Sequence, residues 1–94
     1  MDPGLPDLQI ADVVVPTSGR DVDKWYYVIN MDETYLFLAN GKDRRIEKPK
    51  RKKRKHAKKV LRSETRVAEK IRSGDKVLNS ELRRDLAYLS REQQ

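Results

Sequence analysis

The sequence has no cysteine, one histidine and one tryptophan in 94 residues. Without cysteine there are no disulfides, no thiolate-bound metal and no thiol nucleophile. His56, the single histidine, leaves a transition metal with too few suitable ligands. No metal and no other cofactor is therefore expected. Apolar runs are short, and none approaches the ~20 consecutive residues that span a bilayer. The opening MDPGLPDLQ lacks both the basic start and the apolar stretch of a secretory leader, so a cytoplasmic location is expected. Catalytic signatures are also missing. Thr17, Ser18 and Ser80 have no nearby base to activate a hydroxyl. Gly19 stands alone, without a phosphate-loop pattern. Asp21 and Asp23 form a conceivable carboxylate pair with nothing else of an acid/base site around them. Turn formation explains them better, and no enzyme is expected.

What the chain does have is positive charge, and it is unevenly placed. The formal net charge is +7. Residues 1–41 carry a net −5, residues 42–62 a net +11, and residues 63–94 a net +1. A segment of 21 residues thus holds more than the whole excess. So many like charges repel one another unless a polyanion neutralises them, and a nucleic acid releases its own counterions when it does so. Because the run lies between segments with structural patterning, an ordered interface suits it better than a solvated tail or a localisation signal.

The length allows one small domain with a modest core and an appendage. Residues 1–9, with Pro3, Gly4 and Pro6, read as a flexible tail. Residues 11–15 form a β-branched strand ending at Pro16, followed by a polar loop through Lys24. Two aromatic and β-branched runs, residues 25–31 and 34–39, are joined by Asp32 and Glu33 at hairpin length. In the second run Tyr35, Phe37 and Ala39 fall on one face, with Leu36 and Leu38 on the other. Asn40 and Gly41 signal a turn into a shorter strand over residues 44–48, stopped by Pro49. A fifth strand over residues 57–61 would close a small antiparallel barrel. Thereafter the period becomes helical. Val67, Ala68 and Ile71 make a stripe that stops at Gly74, while Asn79 or Ser80 caps a helix carrying Leu82, Leu86 and Leu89. Helices this short need docking on the barrel or on a partner. The expected organisation is a tail (1–9), a barrel including the basic segment (10–62) and a helical extension (63–94).

The candidate binding residues follow from this map. Arg51, Arg54 and Arg62 can fork onto phosphates, and the lysines act as point charges. Arg44, Arg45, Lys48, Lys50, Lys52, Lys53, Lys55, Lys58 and Lys59 complete the phosphate-contacting set, with Lys42 at its start and His56 within it. Trp25, Tyr26, Tyr27, Tyr35 and Phe37 are core candidates that could also stack unpaired bases. Tyr26 and Tyr35 are the two expected to be exposed.

The stretch VVVPTSGRDVDKWYYVINMDETYLFLANGKDRRIEKPKRKKRKH resembles bacterial KOW-domain RNA-binding proteins, a group similar to a small archaeal and eukaryotic large-subunit ribosomal protein family. The likeness rests on a strand followed by Ser18-Gly19-Arg20-Asp21 and an aromatic strand. It continues through the Ala39-Asn40-Gly41-Lys42 turn and Arg45-Ile46-Glu47-Lys48-Pro49 to the lysine run ending at Lys55-His56. It covers about half of the chain, and the helical end is similar to the family's tail. The resemblance implies an SH3-like β-barrel, mostly β with two short C-terminal helices. Its KOW loop, residues 19–24, would touch RNA or a partner protein, which adds Arg20 and Lys24 to the candidates. Asp23 stands where such loops carry a second glycine, so Arg20 and Lys24 rank below the basic run.

The leading expectation is thus a ribosome-associated RNA-binding protein that contacts the phosphates of large-subunit ribosomal RNA. The alternative is a KOW-type protein-interaction module of the transcription or translation machinery, meeting ribosomal or transcription proteins through its helical end. A peripheral membrane binder ranks third, since no apolar anchor flanks the basic run.

Overall fold

The computed structural model describes residues 7–20 and 22–93. Five antiparallel strands, β1 (Asp12–Pro16), β2 (Tyr26–Met31), β3 (Tyr35–Ala39), β4 (Lys50–Lys53) and β5 (Ala57–Arg62), are followed by helices α1 (Arg66–Ser73) and α2 (Asn79–Glu92). The sheet order is β4-β3-β2-β1-β5, which makes the two basic strands its edges.

Chain connectivity forces this sheet to coil. Flat, it would place β4 about 19 Å from β5, four strand spacings away. Yet only the single 3-10 turn Arg54–His56 joins them, and so few residues reach no further than about 14 Å. That turn is pinned at both ends. The Arg54 N–H donates to the Thr34 carbonyl at the β2–β3 hairpin (2.9 Å), and the Thr17 N–H, just past β1, donates to the His56 carbonyl (2.9 Å). Register shifts between Val13 and Val14 and between Val28 and Asn30 add the extra twist that bulges bring. No ladder joins β4 to β5, so the sheet stays open and the closure expected from the strand over residues 57–61 is not made.

Both sheet faces bury apolar side chains. Inside the coil, Val14, Tyr26, Val28, Leu36, Leu38 and Ala57 pack with Leu8. On the other face Val13, Tyr27 and Ala39 meet Ala68, Ile71, Leu82, Leu86 and Leu89 of the helices. Both apolar helix stripes therefore dock on the sheet. Thr65 caps α1 by accepting from the Ala68 N–H, and Gly74 ends it at φ 78°, as the sequence pattern anticipates. Of the expected tail, residues 1–6 lie outside the described residues, while Leu8 is buried.

Three expectations need correction. Residues 44–48 form no strand. The Asn40 side chain accepts from the Lys42 and Arg44 N–H groups (3.0 and 3.1 Å), and the Asn40 and Gly41 N–H groups donate to the Arg44 carbonyl, so the backbone is wound into a loop. The fourth strand is the lysine run itself. Helix α2 begins after Leu78 instead of after a polar cap. Asn79 instead accepts from the Ile46 N–H (2.8 Å) and donates to Glu47 (2.6 Å), which ties the loop to the helix. Finally, Tyr26 is fully buried, because its place opposite Val14 turns it into the coil.

One buried polar cluster joins sheet to helices. The Tyr27 hydroxyl donates to Asp85 and accepts from the Ser63 hydroxyl (2.9 Å), and the Thr65 hydroxyl donates to the same Asp85 carboxylate (2.8 Å). Burial and the Asp85 carboxylate push the Tyr27 hydroxyl well above its ordinary titration range.

Candidate nucleic-acid interface

A strand made of Lys-Arg-Lys-Lys has no apolar alternation of its own, but it suits an edge, where charge also discourages pairing with another sheet. Register then sorts its side chains. Tyr35 lies opposite Lys53 and Phe37 opposite Arg51, so these four share one face. Leu36 with Lys52 and Leu38 with Lys50 share the other, inside the coil. The lysines of that inner pair are half-buried, their stems lying along apolar surface. The Lys52 ammonium donates to the Ser18 carbonyl (2.8 Å), so it braces the loop after β1.

On the outer face Tyr35 and Phe37 are half-buried and belong to neither apolar cluster, because the helices cover only the Ala39 end of β3. The Arg51 guanidinium sits 4.5 Å from the centroid of the Tyr35 ring. Lys53 lies opposite Tyr35 and Lys55 follows β4 in the 3-10 turn, while Lys58 is on β5 opposite Val15; all three are exposed and form no ion pair among the described residues. The result is a half-buried aromatic face bordered by cations along one sheet edge.

The turn below it is rigid. Asp32 accepts from the Thr34 and Tyr35 N–H groups (2.8 and 2.7 Å), and its N–H donates to the Tyr35 carbonyl. Three residues, not two, therefore link β2 to β3. Those N–H groups, chiefly that of Tyr35, hold the Asp32 carboxyl below the usual carboxylate range, with Arg51 and Arg54 adding to the effect.

The structure divides the other expected site residues into groups. Arg54 and half-buried His56 lie in the 3-10 turn, with Arg54 donating to the Asp32 carbonyl at 3.4 Å. Lys59 pairs with the fully buried Asp12 at 3.3 Å, which makes it part of the scaffold. Arg62, at the far end of β5, donates to Glu64 and Gln9 (2.9 and 2.7 Å). Arg45 pairs with Glu47 and Lys24 with Asp43, both at 3.1 Å. Asn40, then Lys24, keep the Asp43 carboxyl below its ordinary range. Arg20, Lys42, Arg44 and Lys48 are exposed on loops. The β4 edge and the 3-10 turn after it thus carry Lys50, Arg51, Lys52, Lys53, Arg54 and Lys55, with Lys58 just past the turn on β5, whereas the remaining cations are dispersed or paired with carboxylates.

Arg83 is absent from the sequence-based set. It donates to the Gly41 carbonyl (2.7 Å) and lines a cavity with Trp25 and Lys42. Nothing in the sequence links an arginine on α2 to a turn 42 positions earlier; only the docking of the helix brings them together.

Neither a protein-family model nor a curated protein matches the chain. Among the described residues no helix is long and apolar enough to cross a membrane.

Proposed function

We propose that this chain is an RNA-binding protein that acts by binding and not by catalysis. Its outer sheet face and basic edge engage single-stranded or looped RNA. The observation that carries the reading is the pairing of Arg51 with Tyr35 on a half-buried face, with exposed Lys53 opposite Tyr35 and exposed Lys55 and Lys58 in and just after the turn that follows β4. Aromatic rings stack bases without regard to sequence, while the adjoining cations follow the phosphates. Phosphate contacts position the RNA and carry little sequence information, so shape and unpaired bases provide the selectivity. The strand order and the 3-10 link between β4 and β5 support an SH3-like barrel of the KOW kind, and the resemblance supports ribosomal RNA of the large subunit as the target. The apolar stripes of α1 and α2 pack against the sheet, which favours the RNA-binding reading over a partner protein held by those stripes.

The test is RNA binding by fluorescence anisotropy, comparing wild type with a variant in which Lys53, Lys55 and Lys58 are all glutamine. These side chains hold nothing in place within the fold, so the variant should stay folded and lose most of its affinity. Undiminished binding would overturn the assignment. Cosedimentation with the large ribosomal subunit, abolished by ribonuclease, tests the ribosomal setting.

A further inference from the structure

A cavity of about 320 Å³ lies between the loop before β2, the turn after β3 and the exposed side of α2. Its volume is at the small end of ligand pockets, enough for one compact ring system with a substituent. The half-buried Trp25 lines it, and its charged lining is Lys24, Lys42, Arg83 and Asp23, an excess of two positive charges. Lys24 is engaged by Asp43 (3.1 Å). Lys42 is exposed and forms no ion pair among the described residues. Arg83 gives one donor to the Gly41 carbonyl, and a guanidinium has five.

These walls have defined positions. Gly41 at φ 77° leaves no room for a Cβ, which would lie 2.1 Å from the Asn79 carbonyl oxygen, so the turn is packed directly on the start of α2. Asn40, also in the lining, folds the same turn through its side chain. An aromatic wall next to two available cations, in a space of this size, matches a planar base carrying a phosphate.

The geometry points to a pocket for one unpaired nucleotide, its base against Trp25 and its phosphate between Lys42 and Arg83. The pocket rests on the RNA-binding reading and adds to it a second contact outside the basic edge, with an extruded or single-stranded residue as its ligand.

Trp25 is the only tryptophan, so its fluorescence reports on the pocket directly. The full chain is titrated with a single-stranded hexa-adenylate, with an RNA duplex of equal length and with AMP, following Trp25 emission and, in parallel, the anisotropy of labelled RNA. Stacking should quench emission with the single strand and leave it nearly unchanged with the duplex. Lys42→Gln and Arg83→Gln should each weaken the quenching titration by about tenfold, the usual effect of losing a charge-assisted hydrogen bond. Asp23→Asn should strengthen it, a change of opposite sign that a folding defect would not produce. Lys42→Gln disturbs no contact of the fold and keeps the test valid if Arg83→Gln proves unstable. RNA binding by anisotropy with no change in Trp25 emission overturns the pocket and leaves the basic edge standing. No anisotropy signal at all removes both. AMP binding as tightly as the oligonucleotide would assign the cavity to a free nucleotide and overturn its link to RNA.

Discussion

Arg51 reaches diagonally across the β3–β4 ladder to Tyr35, placing its guanidinium 4.5 Å from the ring centroid, while the residue directly opposite Tyr35 is Lys53. One aromatic ring therefore has two cations beside it, and its hydroxyl is not needed for the contact. Tyr35→Ala should weaken binding of single-stranded RNA by about 1–3 kcal/mol, the usual value of one base stacked on an aromatic side chain. Tyr35→Phe should bind like wild type. Anisotropy titrations of the two variants check this, and equal losses would contradict a stacking role.

The buried hydroxyl of Tyr27 has a structural role instead. Tyr27→Phe takes one partner from Asp85 and one from Ser63, leaving Thr65 to both, and should lower the unfolding free energy by about 1 kcal/mol. RNA affinity of the folded protein should not change. Urea denaturation followed by circular dichroism measures the first effect, and anisotropy the second.

The same residue predicts an alkaline transition. Its folded-state titration is raised, so the folded protein holds the proton after the unfolded chain has lost it at about pH 10. The associated stability is fully present below that pH and is lost as pH rises beyond it. Wild type should therefore lose more stability above pH 10 than Tyr27→Phe does, as read from urea midpoints at pH 8 and above pH 10.

Two glycines with nearly the same positive φ should respond differently to alanine. Gly74 at φ 78° has nothing within 4 Å of an added Cβ, so Gly74→Ala should cost only the left-handed backbone strain, about 1–2 kcal/mol. Gly41 adds the collision with the Asn79 carbonyl. Gly41→Ala should be the more damaging, with a lower Tm by differential scanning fluorimetry.

Much of this architecture is legible from pattern. The alternation in Tyr35, Leu36, Phe37 and Leu38 set the faces of β3, and the spacing of Leu82, Leu86 and Leu89 set the buried side of α2. The misplaced fourth strand shows where patterning fails. The pattern of residues 44–48 predicts a strand, but the Asn40 side chain takes the Lys42 and Arg44 N–H groups and Asn79 takes that of Ile46, a competition that propensity does not register. The lysine run became β4 because β3 had an unpaired edge, which is a tertiary reason. From sequence Tyr26 is expected outside and Tyr27 inside, but both strand faces are buried, one by the helices and one by the coil, so both rings are core. For the candidate site, the cations were visible as composition. That Lys59 is spent on buried Asp12 and Lys52 on the Ser18 carbonyl was not.

The dependence of RNA affinity on salt tests the central proposal most directly. With about six phosphates neutralised on a single strand, log affinity should fall against log salt with a slope of about −4 to −5, and the Lys53, Lys55 and Lys58 glutamine variant should show a shallower one. A slope near zero, or the same slope in the variant, would contradict binding through the basic sheet edge.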